Sequence, residues 1–201
     1  NPDLPKITFQ FIIEGKPINV ERRIIYKYVD PVRGEVYQPI EITPPVTANI
    51  EGKDYIFSTQ QVQTVLVNLK SFTKASGTIS LKPVPGWKIS PEKIDFIGKE
   101  KNEEWSVAFT VTPTDTKTKT TDLEAVVNAN GQPFSLSLRR IRYDHVPAIT
   151  LFPPAQTKLV YLDLKHNGRK IGYIAGAGDQ MPEALRQVGY EVHILSENEV
   201  M

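Results

Sequence analysis

Between residues 55 and 143 the apolar side chains tend to fall at every second position, and no stretch repeats them with a helical period. Val107, Phe109 and Val111 alternate with Ser106, Ala108 and Thr110, and Phe134, Leu136 and Leu138 alternate with Ser135 and Ser137. A period of two sends one face of each segment into a core and the other into water. The segments are short and regularly punctuated, with strand candidates at 55–58, 62–72, 77–82, 87–90, 94–97, 105–112, 122–129 and 134–143. About eight short strands in about 100 residues is the profile of an immunoglobulin-like sandwich. The chain has no cysteine, so this assignment rests on pattern and not on an intersheet disulfide.

Different patterns flank that region. Residues 6–29 read as a β-hairpin, with a β-rich arm at 7–13, a turn at Glu14-Gly15-Lys16-Pro17 and a second arm carrying Val20, Ile24, Tyr26 and Tyr28. A lone hairpin is marginal in water. It must pack either on a β-sandwich lying mostly before Asn1 or on the sandwich that follows. Residues 30–45 read as a connector, with turn residues at Asp30-Pro31 and Arg33-Gly34. A second connector spans 143–167, and 159–164 reads as a strand joining the C-terminal piece. There the apolar run 171–175 is followed by Gly176-Ala177-Gly178 as a tight turn, Asp179 as a helix cap and Pro182 in the first turn. Ala184, Leu185 and Val188 make an apolar face, Gly189 a stop, and 190–195 a second strand.

The expected fold class is therefore mainly β. It is an immunoglobulin-like β-sandwich with an N-terminal β-hairpin segment and a C-terminal βαβ unit, the last read as truncated because a parallel sheet needs further strands. The expected divisions are 1–40 for the hairpin segment, 41–147 for the sandwich, and 148–201 for a linker and the βαβ unit. A chain organised this way, opening on Asn-Pro-Asp, reads as a piece of a longer protein.

Composition narrows the function. Twenty-four basic and 23 acidic residues leave a net charge of +1, so no bulk field draws the chain to nucleic acid. No run approaches the roughly 18 apolar residues of a membrane span. Without cysteine, thiol nucleophiles, disulfides and thiolate zinc sites are excluded. The histidines His145, His166 and His193 have no partners at metal-ligand spacing, and no Gly-x-Ser-x-Gly elbow occurs. No catalytic residue, metal ligand or cofactor is expected in this chain.

Fewer positions invite a binding role. Trp87 and Trp105 are candidate glycan contacts, each weighed against a place in the core. Tyr28, Tyr37, Tyr143 and His145 are candidates for stiff joints between domains, since tyrosine joins apolar area to a polar tip. Gly176, Gly178 and Asp179 form the turn ahead of the helix. A phosphate could sit there, but Met181 stands where a third glycine belongs and Asp179 opposes an anion. Lys117-Thr118-Lys119-Thr120-Thr121 reads as a solvated loop tip.

Several segments together carry a family resemblance: YKYVDPVRGEVYQP (26–39), YDHVP (143–147), LFPPA (151–155) and KIGYIAGAGDQMPEALRQVGYEV (170–192). They resemble the region after the catalytic domain in long PIG-L/LmbE-like deacetylases of Bacteroidetes type. PGWKISPEKIDF (85–96) is similar to the NEW3-type sandwich found beside carbohydrate-active modules. The resemblance implies a parent enzyme that removes N-acetyl groups from GlcNAc-type sugars with zinc, through a Pro-His-Pro-Asp-Asp motif that this chain lacks. It also implies an amidotransferase-like C-terminal domain that would begin with 171–195. On that basis the chain is expected to be a non-catalytic linker that positions neighbouring domains. The alternative is a carbohydrate-binding module. The expected partners are those domains, or glycans on the alternative reading, in a bacterial periplasmic, surface or secreted protein.

Overall fold

The computed structural model describes residues 5–32, 34–52, 54–143, 146–164, 168–176, 178–196 and 199. The chain divides into two compact units: Asn1–Thr43 with Leu138–Phe152, and Pro44–Ser137 with Pro153–Met201.

The larger unit contains the β-sandwich anticipated from the alternation. One sheet runs β5 (Val46–Ile50), β7 (Gln63–Ser71), β11 (Glu104–Pro113), β9 (Trp87–Ser90), all antiparallel. The other runs β10 (Ile94–Lys99), β8 (Ala75–Leu81), β12 (Lys119–Ala129), β16 (Gln156–Tyr161), β6 (Asp54–Phe57), with β13 (Gln132–Phe134) also on β12. β16 and β6 pair in parallel. Period-two burial is clean in β7, where Val65, Val67 and Leu69 are buried while Thr64, Leu66 and Asn68 face solvent. These side chains join Phe109 and Val111 from β11, Ile79 from β8, Leu123, Ala125 and Val127 from β12, and Leu159 from β16 in one core. Asn130 and Gly131 join β12 to β13 with positive φ at both positions, the two-residue turn that matches strand twist.

Three sequence expectations shift here. Residues 159–164, expected to join the C-terminal piece, begin inside β16, whose Leu159 and Tyr161 are buried in the sandwich. The loop tip expected at 117–121 is loop only at its start, because β12 begins at Lys119. The strand expected over 134–143 is two strands. Ser137 N–H donates to the Pro153 carbonyl at 2.7 Å and Ala155 N–H to the Ser135 carbonyl at 3.0 Å, which closes a neck. Beyond it β14 (Arg139–Tyr143) pairs with β15 (Val146–Leu151) as a separate ribbon. That ribbon groups with the N-terminal residues, so the seams fall at Ser137/Leu138 and Phe152/Pro153.

The smaller unit is built from two-stranded ribbons. β1 (Lys6–Ile13) pairs with β2 (Lys16–Arg23) as the expected hairpin. The second arm does not run on to Val29: Ile24 breaks it, and β3 (Ile25–Asp30) pairs instead with β4 (Gly34–Pro39) inside the presumed connector. Turn residues at Asp30-Pro31 and Gly34 thus make a hairpin, not a linker.

Near the C-terminus, β17 (Lys170–Tyr173), α1 (Met181–Gln187) and β18 (Glu191–Ile194) form the anticipated βαβ unit, with the two strands parallel. Gly189 follows the helix at φ +100°, as a stop requires.

Candidate functional site

Trp87 opens β9 and is 7% exposed. Its ring meets Phe57 edge-on, with centroids 4.8 Å apart at 64°. Over its ring lies the Lys119 ammonium, 5.1 Å from the centroid. Lys119 Nζ donates to the Gly86 carbonyl at 3.0 Å and to Asp115 Oδ1 at 2.9 Å. The lysine therefore bolts the 84–87 turn to the loop before β12, and its hydrogen bond holds the Asp115 carboxyl below its ordinary value. A cation on a desolvated indole face is favourable, and this one occupies a place where a sugar ring would stack.

Trp105 lies on β11 and is half-buried. Phe96 packs against it at 5.3 Å and 49°, and Lys99 Nζ lies 5.0 Å from its centroid. Lys99 in turn pairs with Glu103 at 2.6 Å, while Glu103 accepts the Glu100 N–H at 2.9 Å. The Lys99 bond first, and the Glu100 N–H second, hold the Glu103 carboxyl below its ordinary range. Both indole N–H groups are buried without a hydrogen-bond partner. The two tryptophans belong to separate aromatic clusters: Trp87 is buried, and Trp105 is half-buried with Lys99 near its ring.

A cleft of about 540 Å³ does lie beside Trp87. Thr78 and Ser80 line it from β8, Trp87 and Ile89 from β9, and Glu92 and Lys93 from the segment after β9. The mix of two hydroxyls, an ion of each sign and apolar walls could hold a small amphipathic molecule. Among the described residues, its lining contains no histidine and no carboxylate pair. Among the described residues no three His, Asp or Glu side chains gather as a metal ion would require.

The joint candidates separate. Tyr28 is half-buried and stacks on Tyr26 at 5.7 Å on one face of the β3–β4 ribbon. Tyr37 lies on the opposite face, donates to Glu35 Oε2 at 2.7 Å, and has Lys27 Nζ 5.4 Å from its ring centroid. Lys27 bonds Glu35 at 2.6 Å, which with the Tyr37 hydroxyl keeps the Glu35 carboxyl below its usual range. Tyr143 ends β14 and is 59% exposed. His145 and its neighbour Asp144 lie outside the described residues.

At the helix turn, Gly176 is exposed and Gly178 takes φ +72°. Asp179 acts one residue earlier than expected: Gln180 occupies the cap position, and Asp179 Oδ1 accepts the Met181 N–H at 2.9 Å. Its other oxygen accepts the Tyr173 hydroxyl, the larger cause of its lowered pKa. The carboxylate therefore fills the space where a phosphate would approach.

Sequence reading passed over Arg140 and Arg142. They stand two apart on one face of β14 and line a groove of about 310 Å³ with Gln38, Glu41, Ala148 and Thr150, all within the smaller unit. The i, i+2 spacing of like cations was visible, but only the β14–β15 pairing places Thr150 opposite Arg140.

No protein-family model matches the chain, and no curated protein does. Among solved structures, the ASH/PapD-like domain 7 of human CEP192 is similar over 63% of this chain and 92% of its own, at 12% identity and TM-score 0.36. A chaperone–tip adhesin complex of CFA/I fimbriae is similar over 60% of each chain, at 13% identity and TM-score 0.34. The VesB protease of Vibrio cholerae is similar over 58% of this chain and 32% of its own, at 7% identity and TM-score 0.28. None of these likenesses reaches the level from which an activity or a partner follows.

Proposed function

We propose that this chain is a non-catalytic β-sandwich segment of a multidomain, zinc-dependent N-acetyl-sugar deacetylase, and that it sets the placement of the enzyme's neighbouring domains. The observation that carries the spacer role is the β1–β2 ribbon. Its register puts Ile7, Phe9, Phe11 and Ile13 on one face opposite Arg22, Val20, Ile18 and Lys16, so a central apolar patch lies between two basic ends, while Thr8 and Gln10 oppose Glu21 and Asn19 on the other. Phe9 and Phe11 stack at 6.4 Å, yet the two are 46% and 49% exposed. A two-stranded ribbon with a wet apolar face is marginal by itself, and such a face marks a surface that another body covers.

The deacetylase context is supported by the segments quoted above, among them 170–192, which folds as the βαβ unit that the resemblance calls for. Zinc would belong to the catalytic domain of the parent and not to this chain. The glycan-module alternative depended on an open indole, and the burial of Trp87 favours the spacer.

Hydrogen exchange over residues 6–23 tests this reading. It should be fast in the 201-residue chain and strongly slowed in a longer protein that carries the zinc domain ahead of it. Equal exchange in the two proteins would overturn the spacer role.

A further inference from the structure

The groove between β14–β15 and the segment containing Gln38 and Glu41 is lined by two arginines. Among the described residues, no carboxylate lies within ion-pair distance of Arg140 or Arg142, although the ribbons around them are laced with pairs such as Lys6–Glu21 and Lys27–Glu35. Glu41 lines the same groove without closing a bridge to either arginine. Thr150, opposite Arg140 across the ribbon, and Ala148 complete that face. The other face holds Arg139, Ile141, Ile149 and Leu151, so one ribbon presents two chemically distinct sides.

We infer that this groove binds a small oxyanion that also carries hydroxyl groups, of the class of an acidic monosaccharide. Two guanidinium forks two residues apart match the oxygens of a carboxylate or a sulfate ester, which accept paired N–H donors. Glu41 argues against a bare anion, because it would face that charge directly. A ligand hydroxyl in between removes the conflict by donating to Glu41, and the Gln38 amide and Thr150 hydroxyl can each donate or accept toward further hydroxyls. A volume of about 310 Å³ sits at the small end of ligand sites and suits one ring, not a polymer. Both arginines are exposed, so water competes and the affinity is expected to be modest.

Ligand-observed NMR and calorimetry on the 201-residue chain, with glucuronate, glucose 6-sulfate, glucose and inorganic sulfate, test the site. Saturable binding of either acidic sugar, with glucose silent and inorganic sulfate clearly weaker, is expected. Whichever acid binds more tightly identifies carboxylate or sulfate ester as the source. Arg140→Ala and Arg142→Ala should each weaken binding by about tenfold or more, and Arg142→Lys should weaken it too because the fork is lost. Arg139→Ala, on the opposite face, should leave it unchanged, and unaltered urea unfolding would show each variant folded. Binding that survives the double Arg140→Ala/Arg142→Ala change overturns the site. So does inorganic sulfate binding as tightly as the sugars, or no binding at about ten times a millimolar dissociation constant.

Discussion

Trp87→Ala separates a core anchor from a ligand platform, because the two roles predict opposite effects on stability. All but 7% of the residue's surface is out of water, its ring meets Phe57 at 4.8 Å, and Lys119 lies over it. Truncating a tryptophan so placed costs about 3–5 kcal/mol, a figure that already includes the lost Phe57 contact and the cavity. For a chain of 201 residues each kcal/mol moves the melting temperature by about 2–4 °C, so a fall of about 6–20 °C is expected. Trp87→Phe is the informative partner. It keeps most of the apolar area and the edge contact, and it deletes an indole N–H that is buried without a partner. Leaving such a donor unpaired costs about 1–3 kcal/mol, so removing it offsets lost packing, and the net cost should stay under about 1.5 kcal/mol. The assay is urea unfolding followed by far-ultraviolet circular dichroism, which does not depend on the tryptophan being replaced. A platform residue would give the reverse: Trp87→Ala within about 1 kcal/mol of the parent. That result would refute the anchoring argument and reopen the glycan reading.

Other consequences test different parts of the fold. A Cβ added at Gly77 in β8 would lie 1.8 Å from the Asn128 backbone oxygen, so β8 and β12 must move apart by about an ångström or more. Gly77→Ala should cost about 3 kcal/mol, whereas Gly131→Ala, at φ +83° with open space around it, should cost about 1 kcal/mol. Equal urea midpoints for the two variants would sink the close-approach argument. Acid should weaken the sandwich in a defined direction. Lys99, Lys119 and Lys82 hold the carboxyls of Glu103, Asp115 and Glu124 below their ordinary values of 4.5, 3.8 and 4.5. A carboxyl whose folded pKa is depressed contributes stability above its unfolded value and loses it as pH falls through the folded one. Unfolding midpoints should therefore stay level from about pH 7 to 5 and decline below about pH 4. A midpoint that rises between pH 5 and pH 3 would contradict these pairings.

The sandwich was legible because alternation reports burial directly: Val65, Val67, Leu69, Phe109 and Val111 are buried where the period of two places them. What alternation does not report is which strand lies alongside. Residues 134–143 keep their period through Leu138, yet Ser137 and Leu138 fall on either side of a seam, and a hydrogen bond to Pro153 decides where the sheet lets go. The same limit applies to 34–39, whose turn residues mark a hairpin as readily as a linker. Lys119 was misplaced for another reason. A lysine in a Thr- and Lys-rich stretch reads as solvated, and only the return of the chain past the 84–87 turn brings Gly86, Asp115 and Trp87 around its ammonium.

That distinction bears on where function can reside in this chain. The side chains most suggestive in the sequence, Trp87 and Trp105, are engaged by Phe57, Phe96 and lysines, and their chemistry goes into holding the sandwich. The ribbons of the smaller unit are the reverse. β1–β2 leaves Phe9 and Phe11 half out of water, and β14–β15 leaves two arginines without a carboxylate among the described residues. Two-stranded ribbons gain little stability from internal burial, so apolar and cationic groups set out on them contribute little to the fold by themselves. The buried core lies in the sandwich, while the two ribbons set apolar and cationic groups out in water. A division of that kind fits the spacer role proposed above, with the buried core in the sandwich and exposed apolar groups on the β1–β2 ribbon.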